Sequence, residues 1–187
     1  MNTSTNGGGT RAGLLLNCLI ERNRAFNQGG GSHSSTQQFC TVAGNRAVEG
    51  GGVYNALVRN SLVWDNRLLT GFPDNYNPGS VFSNACSFPL PPGSGNLAAD
   101  PLFVARGAWP VAGDYHLQSE GWFWDMLGGT WVWADATSPC IDAGDPAAPL
   151  GDEAPCAPGD ALSERADVNT RVNLGAYGGT SEASLAP

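Results

Sequence analysis

One pattern recurs three times in the first third of the chain, with a period of about 21 residues. Each copy begins at a glycine: Gly7, Gly29 and Gly50. Sixteen residues later each copy ends at an asparagine: Asn23, Asn45 and Asn66. The interval within a copy is constant, whereas the connection to the next glycine varies by one residue. Stacked strands require such a fixed interval, because a slip of one residue turns apolar side chains outward.

Within each copy the inward candidates are two residues apart, as Cys40 and Val42 are in the second copy. A period of two is typical of strands and not of helices. Glycine and asparagine tolerate left-handed backbone conformation, so we place sharp corners at the glycines and at the closing asparagines. We therefore predict an all-β chain: a right-handed parallel β-helix of about three to four coils, with a C-terminal cap of hairpin and loops.

Stacked coils predict ladders of equivalent residues. Buried asparagines in successive coils satisfy one another's amide groups, so we interpret Asn23, Asn45 and Asn66 as a structural ladder. Cys18 and Cys40 belong to an inner row of small side chains. Their spacing also permits a disulfide.

A row of arginines follows the asparagine ladder: Arg24, Arg46 and Arg67. The chain has no lysine, and its net charge is +3 over residues 1–70 and −11 over the remainder. Guanidinium groups suit carboxylate or phosphate partners. The row is therefore either a solvated outer edge or a strip that binds a polyanion.

The regular pattern ends after Asn66. Turn-forming residues fill 71–95, which indicates a coil with a long excursion, and Gly95–Val104 predicts a last strand. The open end of a β-helix exposes unpaired strand edges, which proteins usually cover. We therefore divide the chain into coils over residues 1–104 and a capping region over residues 105–187.

The capping region contains a tryptophan-rich segment, GWFWDMLGGTWVW, which predicts a β-hairpin. Its four tryptophans are Trp122 and Trp124 on one strand and Trp131 and Trp133 on the other. Two interpretations are open. The rings pack across the strands over the end of the helix, or they form a platform for a saccharide.

A carboxylate-rich stretch follows the hairpin. Its candidate calcium ligands are Asp142, Asp145, Asp152, Asp160 and Asp167. Ca²⁺ accepts about six to eight oxygen ligands in flexible geometry, but this spacing does not match an EF-hand. The alternative is a solvated acidic loop, and a Cys140–Cys156 disulfide closes part of it if the compartment is oxidising.

The coils together with four later segments, GNLAADPLFV, GDYHLQSEGW, SPCIDAGDP and RVNLGAYGGTSEAS, resemble the C-terminal part of bacterial right-handed parallel β-helix proteins with the pectate-lyase-like fold. SPCIDAGD and NLGAYGGT are similar to the choice-of-anchor Q domain. The resemblance implies an extracellular or cell-surface protein associated with carbohydrate, and it leaves the reaction open. Members usually have an export signal and more coils, so we expect this chain to be a fragment whose upstream coils complete the protein.

Three functions are compatible with these features: a module that binds a polysaccharide or surface glycan, a structural spacer, and a polysaccharide lyase or glycoside hydrolase whose active coils lie upstream. A hydrolase requires converging carboxylates, and the acids Glu21 and Asp65 have no carboxylate at the equivalent coil positions. His33 and His116 are isolated in the sequence. We therefore expect a non-catalytic module, with no nucleic-acid partner and no membrane span.

Overall fold

The structure is a computed structural model that describes residues 1–107, 111–153 and 169–187. The described residues contain strands and turns and no helix. Fifteen strands form a solenoid of four coils with four parallel sheets. The first three coils contribute a strand to every sheet, and the fourth coil contributes a strand to three of them. The predicted parallel β-helix is confirmed.

Sheets 1 and 2 occupy the first two sides of each coil. Sheet 1 contains β1 (Thr3–Asn6), β5 (Arg24–Gln28), β9 (Arg46–Ala47) and β13 (Arg67–Leu68). Sheet 2 contains β2 (Thr10–Arg11), β6 (Ser32–His33) and β10 (Val53–Tyr54). In the fourth coil Tyr76 continues sheet 2 through a single bridge to Val53.

Sheets 3 and 4 complete each coil. Sheet 3 contains β3 (Leu14–Leu16), β7 (Thr36–Gln38), β11 (Leu57–Arg59) and β14 (Val81–Ser83). Sheet 4 contains β4 (Leu19–Glu21), β8 (Thr41–Ala43), β12 (Leu62–Trp64) and β15 (Cys86–Ser87).

The register follows the repeat. Thr36 pairs with Leu14 and with Leu57, which are 22 and 21 residues away. Leu57 pairs with Val81, 24 residues away, because the fourth coil contains the excursion predicted from its turn-forming residues.

The interior of the coils has an apolar part and a polar part. Val42, Val58, Val63 and Phe82 are almost completely buried in one hydrophobic cluster. Beside it, the asparagines form a ladder: the Nδ2 of each asparagine donates to the Oδ1 of the next, at 3.1 Å from Asn23 to Asn45 and at 3.0 Å from Asn45 to Asn66.

The ladder has a fourth rung that the repeat did not predict. Asn75 accepts hydrogen bonds at Oδ1 from the backbone N–H and the Nδ2 of Asn66, both at 3.0 Å. Asn75 follows Asn66 by only nine residues, whereas the other ladder asparagines are 21 or 22 residues apart, because the excursion after Asn66 places Asn75 directly beside it.

The corners are partly as predicted. Gly7, Gly29 and Gly50 have φ between 60° and 66°, and a Cβ at Gly7 would collide with the Thr10 carbonyl. The ladder asparagines are not the left-handed residues at the other corner, however. The residue before each one takes that conformation: Arg22 (φ 55°), Gly44 (φ 64°) and Asp65 (φ 56°). The asparagines instead point inward, where their amides are satisfied.

The chain after the coils forms two antiparallel pairs. β16 (Phe103–Ala105) pairs with β17 (Asp114–Leu117), and β18 (Phe123–Asp125) pairs with β19 (Thr130–Val132). The last strand expected over Gly95–Val104 is divided, because Leu97 makes one parallel bridge to Cys86 and β16 begins only at Phe103. The proposed boundary at residue 104 therefore falls inside β16, and the division into two units stays a prediction.

We call the described residues from 98 to 187 the flanking region, because they pack on the side of the solenoid and not over its end. Leu62 and Trp64 of sheet 4 share a hydrophobic cluster with Phe103, Tyr115 and Leu174 of the flanking region. This placement differs from the expected cap.

Residues 88–97 contact the end of the last coil. Ser87 N–H donates to the Leu97 carbonyl at 3.0 Å, and Leu97 N–H donates to Ala85 at 2.8 Å. The open edge is thus met by a segment that we had assigned to the coils.

Candidate functional site

Two grooves lie where the flanking region meets the corners of the solenoid. The large groove, of about 500 Å³, runs beside the corner between sheets 3 and 4. The small groove, of about 220 Å³, lies at the corner after sheet 4, near β13. The lining of the large groove is evenly polar and apolar, and that of the small groove is mainly apolar with a few charged groups. Ligand sites are concavities of this kind, in which a small number of polar groups fix the ligand.

One wall of the large groove is built by the coils. Gln38, Arg59 and Ser83 are the last residues of successive strands in sheet 3, so their side chains form a row on its outer face. The next residue in each coil turns the corner with a positive φ: Phe39, Asn60 and Asn84.

The other wall of the large groove comes from residues 145–149. The Asp145 N–H donates to Asn60 Oδ1 at 2.8 Å, and the Asp145 carboxylate accepts from the Ala147 N–H at 2.9 Å. These two hydrogen bonds hold the Asp145 carboxylate on the wall opposite the row of Gln38, Arg59 and Ser83. The segment belongs to the acidic stretch that we had considered for calcium.

The small groove collects charged and aromatic side chains. Arg67, Arg106, Asp65, Trp64 and Phe88 line it. Arg106 Nη1 lies 3.3 Å from Asp65 Oδ2, and its other terminal nitrogen pairs with Asp100. Burial raises the pKa of Asp65, while the guanidinium groups of Arg106 and Arg67 act in the opposite direction. The groove thus holds a partly desolvated carboxylate between two cations.

The arginine row is present in register, with Arg24 paired to Arg46 and Arg46 paired to Arg67. The three arginine side chains do not form one continuous binding strip, because their contacts differ. The Arg24 guanidinium lies 5.0 Å from the ring centre of Phe26, and Arg67 Nη1 donates to the Gly71 carbonyl at 3.0 Å. Of the three, Arg67 lines the small groove.

The tryptophan hairpin forms as expected. Trp124 and Trp131 face each other across β18 and β19, edge to face, with ring centres 5.8 Å apart. Trp122 and Trp133 lie just outside the strands, and Trp133 is 62% exposed. None of these four lines the two grooves. A saccharide platform on the hairpin stays a prediction.

The carboxylates predicted as calcium ligands are either far apart or already hydrogen-bonded to other groups. The Asp142 carboxylate accepts from the Thr170 N–H, the Thr170 hydroxyl and the Arg171 N–H, which occupies both of its oxygens. Asp152 is exposed, and Asp160 and Asp167 lie outside the described residues. Within residues 1–107, 111–153 and 169–187, no three side chains of the His, Cys, Asp and Glu types are grouped to hold a metal ion.

The described cysteines are free thiols: Cys18, Cys40, Cys86 and Cys140. Cys40 is stacked beside Cys18, and burial raises the pKa of its thiol to about 11. The Cys140 thiol contacts Cys86, and this hydrogen bond and burial raise its pKa. Cys156, which we had considered as the partner of Cys140, lies outside the described residues.

His116 is not isolated in space. Its Nδ1 lies 2.6 Å from Asp114 Oδ1, its Nε2 lies 3.5 Å from Glu182 Oε2, and its ring stacks on Tyr177 at 3.6 Å. Burial raises the pKa of Tyr177 to about 12, with the charges of Asp114 and Glu182 adding to the effect. Because His116 is fully buried, this cluster holds β17 against the C-terminal segment.

The grooves escaped sequence reasoning because each joins residues far apart in the chain. Asp65 meets Arg106, and Asn60 meets Asp145. A signal was present in the outward positions of sheet 4, where Leu62 and Trp64 are apolar and therefore imply a covered face.

Comparison of the chain with protein-family models, with curated proteins and with solved structures found no match. Within the described ranges there is no helical segment of the length and hydropathy that a membrane crossing requires.

Proposed function

We propose that this chain is a non-catalytic carbohydrate-binding module. The observation that carries the proposal is the small groove, where two arginines, one carboxylate and two aromatic side chains converge. Arg67 comes from the fourth coil, and Arg106 comes from the flanking region. Two separate parts of the fold therefore contribute to one concavity.

The chemistry of the small groove suits sugar hydroxyl groups. A hydroxyl accepts hydrogen bonds from guanidinium N–H groups and donates to a carboxylate, so Arg67, Arg106 and Asp65 match both of its roles. The side chains of Arg106 and Asp65 are 43% and 31% exposed, so a ligand reaches them. Phe88, which is 60% exposed, offers an aromatic face to the apolar side of a sugar ring.

The size of the small groove indicates how much of a glycan it holds. Its volume of about 220 Å³ is below the range of about 300–1,000 Å³ for pockets that enclose drug-sized ligands. One sugar residue of a longer chain fits this space.

Binding is better supported than hydrolysis. Asp65 is the carboxylate among the residues lining the small groove, and it is paired with Arg106. A glycoside hydrolase needs two carboxyl groups on opposite sides of the scissile bond, about 5–10 Å apart. Asp100 does not supply the second group, since it pairs with the same arginine.

The proposal extends to the setting of the protein. The similarity of SPCIDAGD and NLGAYGGT to the choice-of-anchor Q domain, together with the parallel β-helix, supports a pectate-lyase-like protein that is secreted or displayed at the cell surface. Its partner is a polysaccharide or surface glycan.

A glycan array followed by titration of the retained glycans tests this function. We expect retention of at least one glycan, and we expect Arg67→Ala to weaken it about tenfold, equivalent to about 1.4 kcal/mol. Arg11→Ala is the matched control, because Arg11 is exposed on sheet 2, away from the small groove. Retention of no glycan, or equal affinity of the wild type and Arg67→Ala, would show that the small groove is not a glycan site.

A further inference from the structure

The large groove contains a residue that departs from the repeat. At the corner between sheets 3 and 4, the four coils place Asn17, Phe39, Asn60 and Asn84, all with φ between 44° and 52°. Asparagine tolerates this left-handed region, whereas for a bulky residue it is an outlier. Phe39 is therefore strained at a position where the other three coils hold the favoured residue.

Burial in the hydrophobic core does not compensate for the strain at Phe39. It is half-buried and belongs to neither of the two hydrophobic clusters. Instead it lines the large groove beside Gln38 and Arg59, opposite Asp145. Strained residues persist at functional sites when the surrounding structure holds them in place, and here the Phe39 N–H donates to the Arg59 carbonyl at 3.2 Å.

The polar groups around the ring are balanced in charge. Arg59 is exposed and supplies N–H donors, Asp145 supplies acceptors, and the Gln38 amide supplies both. One cation opposite one anion favours a neutral ligand rich in hydroxyl groups over an anionic one. The volume of about 500 Å³ is more than twice that of the small groove, so the large groove accommodates more than one sugar residue.

We propose that the large groove is a second binding site, which takes a neutral oligosaccharide with one ring stacked on Phe39. Arg59, Gln38 and Asp145 hydrogen-bond its hydroxyl groups. The site uses none of the residues of the small groove, so it stands or fails independently of the function proposed above. The competing explanation is that the ring braces Ala148 and Pro149, which also line the groove.

Phe39→Asn separates the two explanations, because it installs the residue found at the other three corners. If the ring is a binding platform, the variant folds with an unchanged melting temperature or one raised by about 2–4 °C, since the strain is relieved. Its affinity for the bound glycan falls about tenfold or more. If the ring is a brace, the melting temperature falls, and the proposal is overturned.

The ligands for calorimetric titration of the whole chain are neutral cello-, xylo- and malto-oligosaccharides. We expect at least one to bind the wild type, Phe39→Trp to retain binding, and Arg11→Ala, on an exposed residue that lines neither groove, to leave this binding unchanged. Phe72→Ala is the control for loss of an aromatic ring, because Phe72 is 70% exposed and does not line the large groove. Absence of binding by all three series, or undiminished binding by Phe39→Asn, overturns the proposal.

Discussion

The coils and the flanking region are stabilised in different ways. In the coils one arrangement is used repeatedly: the Asn45 amide accepts from Asn23 and donates to Asn66, and the Asn66 amide accepts from Asn45 and donates to Asn75. The flanking region instead depends on one buried carboxylate, that of Glu153, which is not repeated. The Glu153 carboxylate accepts from Asn169 Nδ2, the Asn173 N–H and the Gly179 N–H, at 2.7–2.8 Å.

The difference determines how each region responds to damage. A stacked coil contacts only its neighbours, so the stability of the solenoid is approximately a sum of coil and interface contributions. Glu153 instead joins three separate points of one irregular segment. Burial raises the pKa of its carboxyl group even though three donors favour the ionised form, so this hub exists at an electrostatic cost.

The largest effect is expected from breaking the ladder at its centre. Asn45→Ala leaves the backbone N–H and the Nδ2 of Asn23 without the oxygen that accepts from them. It also removes the Nδ2 that donates to the Ile20 and Ala43 carbonyls and to Asn66 Oδ1. Each buried polar group left unsatisfied costs about 1–3 kcal/mol, so we expect a loss of about 3–5 kcal/mol in the free energy of unfolding, measured in urea.

Two other asparagine variants serve as comparisons for the loss in free energy of unfolding caused by Asn45→Ala. Asn23→Ala, at the first coil, is expected to cost less. The Asn23 side chain accepts from the Asn2 N–H and donates to Asn45, whereas the Asn45 side chain takes part in five hydrogen bonds. Asn27→Ala, on an exposed side chain, is expected to change the free energy of unfolding by no more than about 0.5 kcal/mol. Equal losses for Asn45→Ala and Asn23→Ala would refute the nearest-neighbour description of the coils.

The next effect is expected at the hub of the flanking region. Glu153→Ala removes the acceptor of three donors, and we expect a loss of about 2–4 kcal/mol. Hydrogen exchange measured by mass spectrometry should show faster exchange over residues 169–187 and unchanged exchange in the coils. Faster exchange throughout the coils would mean that the two regions unfold as one unit.

The same contrast explains what the sequence could predict. The ladder and the rows of stacked residues follow from a constant interval, which fixes the register of every strand pair at once. Asn75 breaks that interval and was missed, although it makes the same hydrogen bonds. The repeat aligns Phe39 with Asn17 and Asn60, so the sequence shows that this aromatic residue is unusual. Its place in a groove follows only from its φ angle and from the opposite wall at Asp145.

The flanking region offered less to prediction, because its contacts connect residues that no period relates. The pairing of Trp124 with Trp131 could be predicted from the local alternation around a turn. The contacts of His116 with Glu182 and of Asp65 with Arg106 span 66 and 41 residues, and only the folded chain brings them together.

The smallest effect is expected from alkaline titration, which probes one group in each region. Burial raises the pKa of Cys40 in the coils from 9.0 to about 11, and that of Tyr177 in the flanking region from 10.0 to about 12. In both cases the folded state favours the protonated, neutral form. The stabilising contribution is therefore complete below the unfolded value and is lost as the pH rises through the folded value.

We expect the melting temperature to fall from about pH 9 to 11 because of Cys40 and from about pH 10 to 12 because of Tyr177. Cys40→Ala should make the first decrease smaller and Tyr177→Phe should make the second smaller, because the raised pKa values of the Cys140 thiol and the Tyr115 phenol contribute the remainder. Tyr177→Phe should leave stability near pH 7 almost unchanged, since the Tyr177 hydroxyl donates to the weak acceptor Met126 Sδ at 3.6 Å. Tyrosinate absorbance followed in the same samples assigns the second step. A Tyr177→Phe profile identical to that of the wild type would show that the buried phenol does not couple the flanking region to pH.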